Sequence, residues 1–534
     1  MITIKPLGAH LLIMIMALCV LLYELTIASL LALIFGDVIF YFTLTIALFI
    51  LFMGFGSLLA QRFISSASPL LVVEILISLL GAGATPIISL VAATTQHSLF
   101  VFMAALFFII FIGLLAGAEL PLLFKITHSI SQDNNKFSLL LAYDYIGALL
   151  GSVLFALVLL PNVDLIGTGV YAGLLNIFAA IIIYYLSLNG LTKLRQNIYK
   201  LSLALVLFFC LLLKYKQEAI QQSIDTTLFR ISTNTKIINN FRTKYQKVTL
   251  TLTPLADIDA NSSLPLNKVA TELQWLSIYL NNQIQAQSVY KSETDIYHHA
   301  FVHPAMIMAG KRESILILGG GDGLPAKEVQ KYSDVRQIIN VDLDGEWANF
   351  TKENPLMREH SHDSFNNVKL KLIIADAFKW VRKSQQSFDV ILVDFPEGVD
   401  IPLARSYSLE FLNDLKRILN DDGVISFQVD TFNNPVYWSI VRTMLAAGYK
   451  VIPHHTKEPS AAEGLVLLSK TKINLTTMRN RISQYPFIRP ELFISPQAME
   501  HYRQEDRLIK QTRKYSINTF FNPIFLHYYR FSQY

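Results

Sequence analysis

Ser314-Ile315-Leu316-Ile317-Leu318-Gly319-Gly320-Gly321-Asp322-Gly323 is the stretch that decides the fold of the C-terminal half. An apolar run enters a triple glycine, which reads as a strand, a sharp turn and the start of a helix. Glycine permits the turn and lets a ligand approach the backbone closely. The pattern differs from the phosphate-binding G-x-G-x-x-G and lacks the lysine of a P-loop. An aspartate inside such a loop repels a pyrophosphate but can hold an amine or a sulfonium-bearing group. A plain strand–helix turn is the alternative reading.

Working outward, Ile338–Val341, Leu370–Ile374, Val390–Val393 and Val424–Gln428 repeat the strand-like pattern of Ile315–Leu318, and Leu465–Leu468 adds a late strand. Helical stretches lie between them at 325–332, 407–419 and 435–447. Strands separated by crossover helices predict a parallel, doubly wound sheet with its site beyond the strand C-termini. Acids sit at those ends: Asp342 and Asp344 in Val341-Asp342-Leu343-Asp344, Asp376 in Ala375-Asp376-Ala377, and Asp394 and Glu397 in Asp394-Phe395-Pro396-Glu397-Gly398. Any one of them alone could be a helix cap. An acid after each of four strands instead suits a nucleoside that has positive charge and no phosphate. S-adenosylmethionine and its decarboxylated form meet that description. Asp342 is placed for ribose hydroxyls and Asp376 for an adenine amino group. Upstream, Lys247–Thr253 and Leu276–Ile284 read as strands of a small β subdomain, interrupted by a loop at Ser262-Ser263-Leu264-Pro265.

The N-terminal two fifths has a different composition. Residues 1–216 carry 16 of the 85 charged side chains of this 534-residue chain, so lipid shaped this part and water the rest. Apolar runs at 6–36, 38–61, 138–161 and 165–188 are each long enough to span a bilayer, and the uncharged run 75–118 holds two spans parted at Thr94-Thr95-Gln96-His97. The last run, Leu201–Leu213, is short, which leaves six or seven spans. Basic residues at Lys5, Arg62, Lys125, Lys136, Lys193, Arg195 and Lys200 alternate with loops bearing Asp37, His97 and Asp164, placing the N-terminus inside. Six spans keep the soluble part cytoplasmic, the expected location on a multi-pass inner membrane; seven send it across. Glu24, Glu74, Glu119 and Asp144 fall inside spans, where carboxylates are costly and mark either a path for a cation or neutral, paired groups. Cys19 and Cys210 have no metal or redox spacing, and a net charge of +5 is too mild to imply nucleic acid.

In this context the sequence resembles the spermidine synthases, the polyamine aminopropyltransferases, and within them the membrane-bound bacterial branch. The resemblance rests on ordered blocks: Tyr245-Gln246, Tyr279-Leu280-Asn281-Asn282-Gln283-Ile284-Gln285, Tyr297-His298-His299, Val302-His303-Pro304-Ala305, the Gly319–Gly323 loop, Val341–Asp344, Asp376, Asp389–Pro396 and Tyr437–Thr443. The stretch Tyr143-Asp144-Tyr145-Ile146-Gly147-Ala148 looks like the same branch. The resemblance implies transfer of an aminopropyl group from decarboxylated S-adenosylmethionine, a co-substrate rather than a cofactor, to a diamine such as putrescine. It implies that Gln246, Gln285, Gly319, Gly321, Asp322, Asp342, Asp376 and Ala377 bind the nucleoside. Tyr297, His298 and Gln428 would line the amine cleft, Asp394 and Glu397 would be catalytic, and no metal would be used. Departures gather on the amine side: Glu397 for the usual Asp, His299 for the Glu of Tyr-His-Glu, Glu293-Thr294 for Asp-Glu, and Ala461-Ala462-Glu463-Gly464 without its aromatic. A part-protonated His299 would disfavour a dication.

The expected architecture is therefore a polytopic helical membrane domain (1–216), a small β subdomain with its linker (217–310), a Rossmann-like, methyltransferase-type α/β domain (311–475) and an aromatic–basic extension (476–534). The expected partners are a diamine, a sulfonium nucleoside and the lipid bilayer, with a homodimer left open and nucleic acid excluded. Two rival functions remain: a methyltransferase-like enzyme using S-adenosylmethionine itself, and a non-catalytic polyamine or nucleoside sensor serving a transport-like membrane domain.

Overall fold

The computed structural model describes residues 6–35, 38–63, 67–95, 97–128, 135–188, 191–229, 234–255, 273–281, 283–292, 295–395, 404–432, 434–456, 463–472, 475–490, 499 and 505–520. The chain divides into two compact units, Met1–Arg230 and Ile231–Tyr534.

The first unit contains seven helices long and apolar enough to cross a membrane. They are Pro6–Phe35, Val38–Ala60, Ala67–Thr94, Ser98–His128, Asn135–Leu154, Leu165–Ser187 and Lys193–Leu228. Lipid supplies little drive for helix association, so close backbone approach matters. A methyl group at Gly56 would fall 1.9 Å from the Leu114 carbonyl oxygen, and one at Gly117 would fall 1.9 Å from that of Met53. The second and fourth helices thus meet main chain to main chain. Lys125 closes the end of this pair, donating to the carbonyls of Ala60, Gln61 and Phe63 at 2.9–3.0 Å.

The seventh helix is more than the short apolar run Leu201–Leu213 indicates. Tyr184 donates to the Gln196 carbonyl near its start, and Gln217 donates to Asp164 at 2.7 Å near the other end of its neighbour. The last helix therefore runs alongside the whole of Leu165–Ser187. At 1.5 Å per residue, that neighbour's 23 residues reach about 34 Å, enough for a hydrocarbon core.

In the second unit a four-stranded antiparallel sheet comes first: β1 (Lys236–Arg242), β2 (Lys247–Pro254), β3 (Gln274–Leu280) and β4 (Gln283–Val289). The expected single strand Leu276–Ile284 is in fact two, folded back at Asn281. That residue sits at φ 50°, a left-handed conformation asparagine tolerates and strands exclude. The predicted loop at 262–265 lies outside the described residues.

The main sheet has seven strands in the order β10-β11-β9-β8-β5-β6-β7. These are β5 (Ser314–Gly319), β6 (Gln337–Asp342), β7 (Leu370–Ile374), β8 (Phe388–Asp394), β9 (Leu419–Thr431), β10 (Lys450–His455) and β11 (Glu463–Ser469). β5 to β9 pair in parallel. β11, however, is antiparallel to both neighbours, so the sheet is mixed and not wholly parallel. The cause is length: the β10–β11 connection is too short for the crossover that parallel pairing requires. Alternate residues of β5 enter opposite cores. Leu316 and Leu318 pack with Phe411 and Tyr437, and Ile315 and Ile317 with Phe301 and Met306 of the helix Ile296–Met308. Each such fully buried side chain is worth about 1.5–3 kcal/mol against exposure. That double burial fixes the register, and with it the position of every strand end.

Candidate active site at the carboxyl edge of the sheet

The order of strands reverses between β5 and β8, and that switch point opens the crevice expected of such sheets. Gly319 is paired with Asp394 across it. Gly319 (φ 82°), Gly320 (φ 66°) and Gly323 (φ 75°) take conformations that side chains resist. A methyl group at Gly319 would lie 2.0 Å from the Asp394 carbonyl oxygen, and one at Gly321 2.7 Å from the Asp342 carboxylate. Glycine is thus required both for the turn and for bringing these acids onto the loop.

Around that loop the structure gathers Tyr297, His298, Asp322 and Asp394. Tyr297 donates its hydroxyl to Asp394 Oδ1 at 2.6 Å. His298 Nδ1 lies 2.6 Å from Asp295 Oδ2, and its Nε2 lies 3.9 Å from Asp322 Oδ2. Asp322 accepts from the Leu324 N–H at 2.9 Å. Burial alone would strip the His298 charge, but Asp295, with help from Asp322 and Asp394, overrides it and lifts the imidazole to about 9. The histidine is therefore a fixed cation at neutral pH. Asp394 is pushed up to about 6 by burial and by Asp322, against the lowering effect of His298. Burial also raises Asp322 and carries Asp342 to about 7. Three acids face one imidazolium, so the crevice is short of positive charge.

The nucleoside side is more dispersed. Gln246, in the β1–β2 turn, donates from Nε2 to Asp344 Oδ2 at 2.9 Å, and Thr243 donates to the same oxygen at 2.6 Å. Asp344 also caps the helix Gly345–Glu353 through the Trp347 N–H, so it ties the small sheet to the end of β6. Asp342 accepts from the Asp344 N–H at 2.8 Å. Asp376 caps the helix beginning at Ala377 and also receives Arg405 Nη2 at 2.8 Å. Gln428, on β9 and 7% exposed, has its Oε1 buried with no donor among the described residues. Gln285 lies half-buried on β4; no hydrogen bond joins it to the acids among the described residues. Glu397, Glu293, Thr294, Ala461 and Ala462 lie outside the described residues.

His299 behaves differently from the sequence expectation. It is fully buried and accepts the Arg489 N–H at Nε2, 2.8 Å away. Burial and the neighbouring His303 hold it down to about 3. It is neutral at working pH, so it adds no positive charge against a dication. His303 spends one nitrogen on Tyr332 and the other on Glu328. The trio His299, His303 and Glu328 is close enough to surround an ion, yet these hydrogen bonds already occupy His303. His298, Asp322 and Asp394 are also that close, and there His298 is held through Nδ1 by Asp295.

Asp295, Asp344 and Arg405 are the residues that motif reasoning missed. The spacing of Asp295 to His298, at a helix start, was the available signal for the first. The second acid of Val341-Asp342-Leu343-Asp344 was the signal for the second. Arg405 had none, since it lies outside every acidic motif in the sequence.

A family model described as the spermine/spermidine synthase domain matches residues 294–476. A polyamine aminopropyltransferase from Leptospira interrogans is 30% identical over 474 residues, covering 86% of this chain and 87% of that protein. Polyamine aminopropyltransferase 2 from Aquifex aeolicus is 29% identical over 513 residues, covering 95% of each. Among solved structures, the spermidine synthase from Thermotoga maritima aligns with a TM-score of 0.39 at 19% identity, over 52% of this chain and 87% of that one.

Proposed function

Given that this chain belongs to the polyamine aminopropyltransferase family and is a transferase, we propose that it moves the aminopropyl group of decarboxylated S-adenosylmethionine onto putrescine, forming spermidine and methylthioadenosine. The observation that carries the reading is the Tyr297–His298–Asp322–Asp394 group at the β5/β8 switch point. A crevice with three partly uncompensated acids suits a sulfonium and an ammonium together.

The chemistry is an in-line displacement. The lone pair of a neutral amine attacks the carbon next to the sulfonium, the carbon–sulfur bond breaks, and its electron pair neutralises the sulfur. The new ammonium gives up a proton to a carboxylate. The leaving group needs little help, so alignment and proton removal are the protein's main tasks. Asp322 holds the aminopropyl amine, while Asp342 and Gln246 hold the nucleoside. Asp394, lifted towards neutrality and aligned by Tyr297, is a base suited to an amine proton. Glu397, three residues further on in sequence, is the second candidate base.

The unit needs no metal or organic cofactor in this scheme. The seven helices that are long and apolar enough to cross would anchor the enzyme in a membrane, and an odd number of crossings would leave the two ends of the helical unit on opposite faces.

The test is methylthioadenosine release by the purified full chain, given decarboxylated S-adenosylmethionine and a panel of di- and triamines. Putrescine should support the fastest release. Asp394→Asn and Glu397→Gln assign the base, because only loss of the proton acceptor removes turnover while nucleoside binding persists. Nucleoside binding without release for any amine would replace this reading with a sensor.

A further inference from the structure

The membrane unit contains polar groups that aminopropyl transfer does not use. Glu74, on the helix Ala67–Thr94, and Glu119, on Ser98–His128, are 0% and 3% exposed. Their carboxyl groups lie within hydrogen-bonding reach of each other. Asn176, on Leu165–Ser187 and fully buried, donates from Nδ2 to Glu74 Oε2 at 3.0 Å and to the Glu74 carbonyl at 3.1 Å. Three helices therefore meet at one polar point.

The hydrogen bonds at this point do not close. Glu74 Oε1, Glu119 Oε1 and Asn176 Oδ1 are buried without a donor among the described residues. A buried acceptor left unpaired costs about 1–3 kcal/mol, and an unpaired carboxylate more. A fixed cation would normally answer such a group. Lys125, on the same helix as Glu119, is instead committed to the carbonyls of Ala60, Gln61 and Phe63. One proton shared by the two carboxyls fills the line between them and leaves the outer oxygens unanswered.

What is missing is a donor-only group with one positive charge. An alkylammonium supplies three N–H donors, one charge and no acceptor, which matches three acceptor oxygens on three helices. The helices bearing the carboxylates also contain internal prolines, Pro86 and Pro121. Pro121 has no N–H for the Gly117 carbonyl, which loosens the helix two residues beyond Glu119.

We propose that the membrane unit binds an alkylammonium cation at Glu74 and Glu119, with Asn176 completing the polar lining. The amine enters as one positive charge and the proton shared by the carboxyls leaves. The choice of amine rests on the proposed function, because the substrates and products of that reaction are alkylammonium ions. The site itself is separate from the transferase crevice.

The test uses the full chain in phosphatidylcholine nanodiscs and equilibrium binding of radiolabelled putrescine and spermidine. Asp394→Asn, which cripples the transferase crevice, should retain saturable amine binding. Adding Glu119→Gln or Glu74→Gln should weaken it at least about tenfold, as expected for loss of a charge-assisted bond. Calorimetry of the Asp394→Asn protein in two buffers of different ionisation enthalpy should show proton release on amine binding. The single variant Glu119→Gln should still release methylthioadenosine, which certifies its folding. The idea is overturned if Asp394→Asn binds no amine. It is likewise overturned if the remaining binding ignores both glutamates, or if no proton leaves. Failure of the proposed function would look different: no methylthioadenosine from the wild type, with amine binding at the membrane site intact.

Discussion

In the transferase unit, Asp322 and Asp394 share their surroundings with His298, whose charge Asp295 fixes in place. In the membrane unit, Glu74 and Glu119 share theirs with Asn176, which has no charge to offer. Both groups are acidic and buried, but the first keeps a cation of its own. A resident imidazolium lets the crevice hold ionised carboxylates before any ligand arrives, so one of them is free to work as a base. A neutral amide cannot do this, and such a pair must wait for a charge from outside. On the two proposals above, the contrast separates an acid cluster suited to proton transfer from one suited to occupancy.

The largest effect should come from removing the proposed base. Asp394→Asn is expected to cut kcat about a thousandfold, within the usual range for a positioned acid–base group, while nucleoside affinity by titration stays close to wild type. If kcat survives and Glu397→Gln abolishes it, proton removal passes to the neighbouring turn and Asp394 becomes a binding group. Next in size, Asp344→Asn should raise the KM for the nucleoside about tenfold with kcat little changed, since it loosens Gln246 and Thr243 without touching the reacting atoms. An equal fall in kcat would show instead that the small sheet sets the reaction geometry.

The pH profile sharpens the role of the resident cation. A base with its carboxyl near 6 must be ionised to act, so kcat/KM for the free enzyme should rise with pH through about 6. His298→Asn removes the positive charge that lowers Asp394, so the acid limb should move to higher pH. An unmoved limb would mean that the imidazole does not act on the base.

A smaller effect concerns stability. Burial raises Asp342 to about 7, above its unfolded value, so folding favours its neutral form. Its stabilising contribution is complete below the unfolded value and is lost as pH climbs to about 7. Asp342→Asn should therefore raise the melting temperature of the ligand-free chain by several degrees at pH 8, and by less at pH 5. The mildest intervention is a pair of protease-cleavable tags, one before residue 6 and one in the second unit. In sealed vesicles only one of them should be cut; cleavage of both or neither would return Lys193–Leu228 to a helix that does not cross.

Much of this design could be read from the chain. Apolar strands ending in glycine or aspartate announced the carboxyl edge, because strand ends in an α/β sheet are fixed by the same apolar runs that bury the strands. The acids Asp322, Asp342 and Asp394 accordingly lie where spacing put them. What escaped was set by contacts distant in sequence. Asp344 matters through a turn about a hundred residues upstream, Arg405 through Asp376, and His299 through the backbone of Arg489. The reversal of β11 followed from the length of one connection, and the break at Asn281 from a single left-handed residue. The seventh helix looked short because only part of it is apolar; the remainder is held by polar contacts such as Gln217 to Asp164, which hydropathy does not register.

Gly319 meets the Asp394 carbonyl main chain to main chain. The approach of the loop to the end of β8 is thus written in peptide geometry. Side chains around the crevice can change while that main-chain approach of loop to strand stays in place.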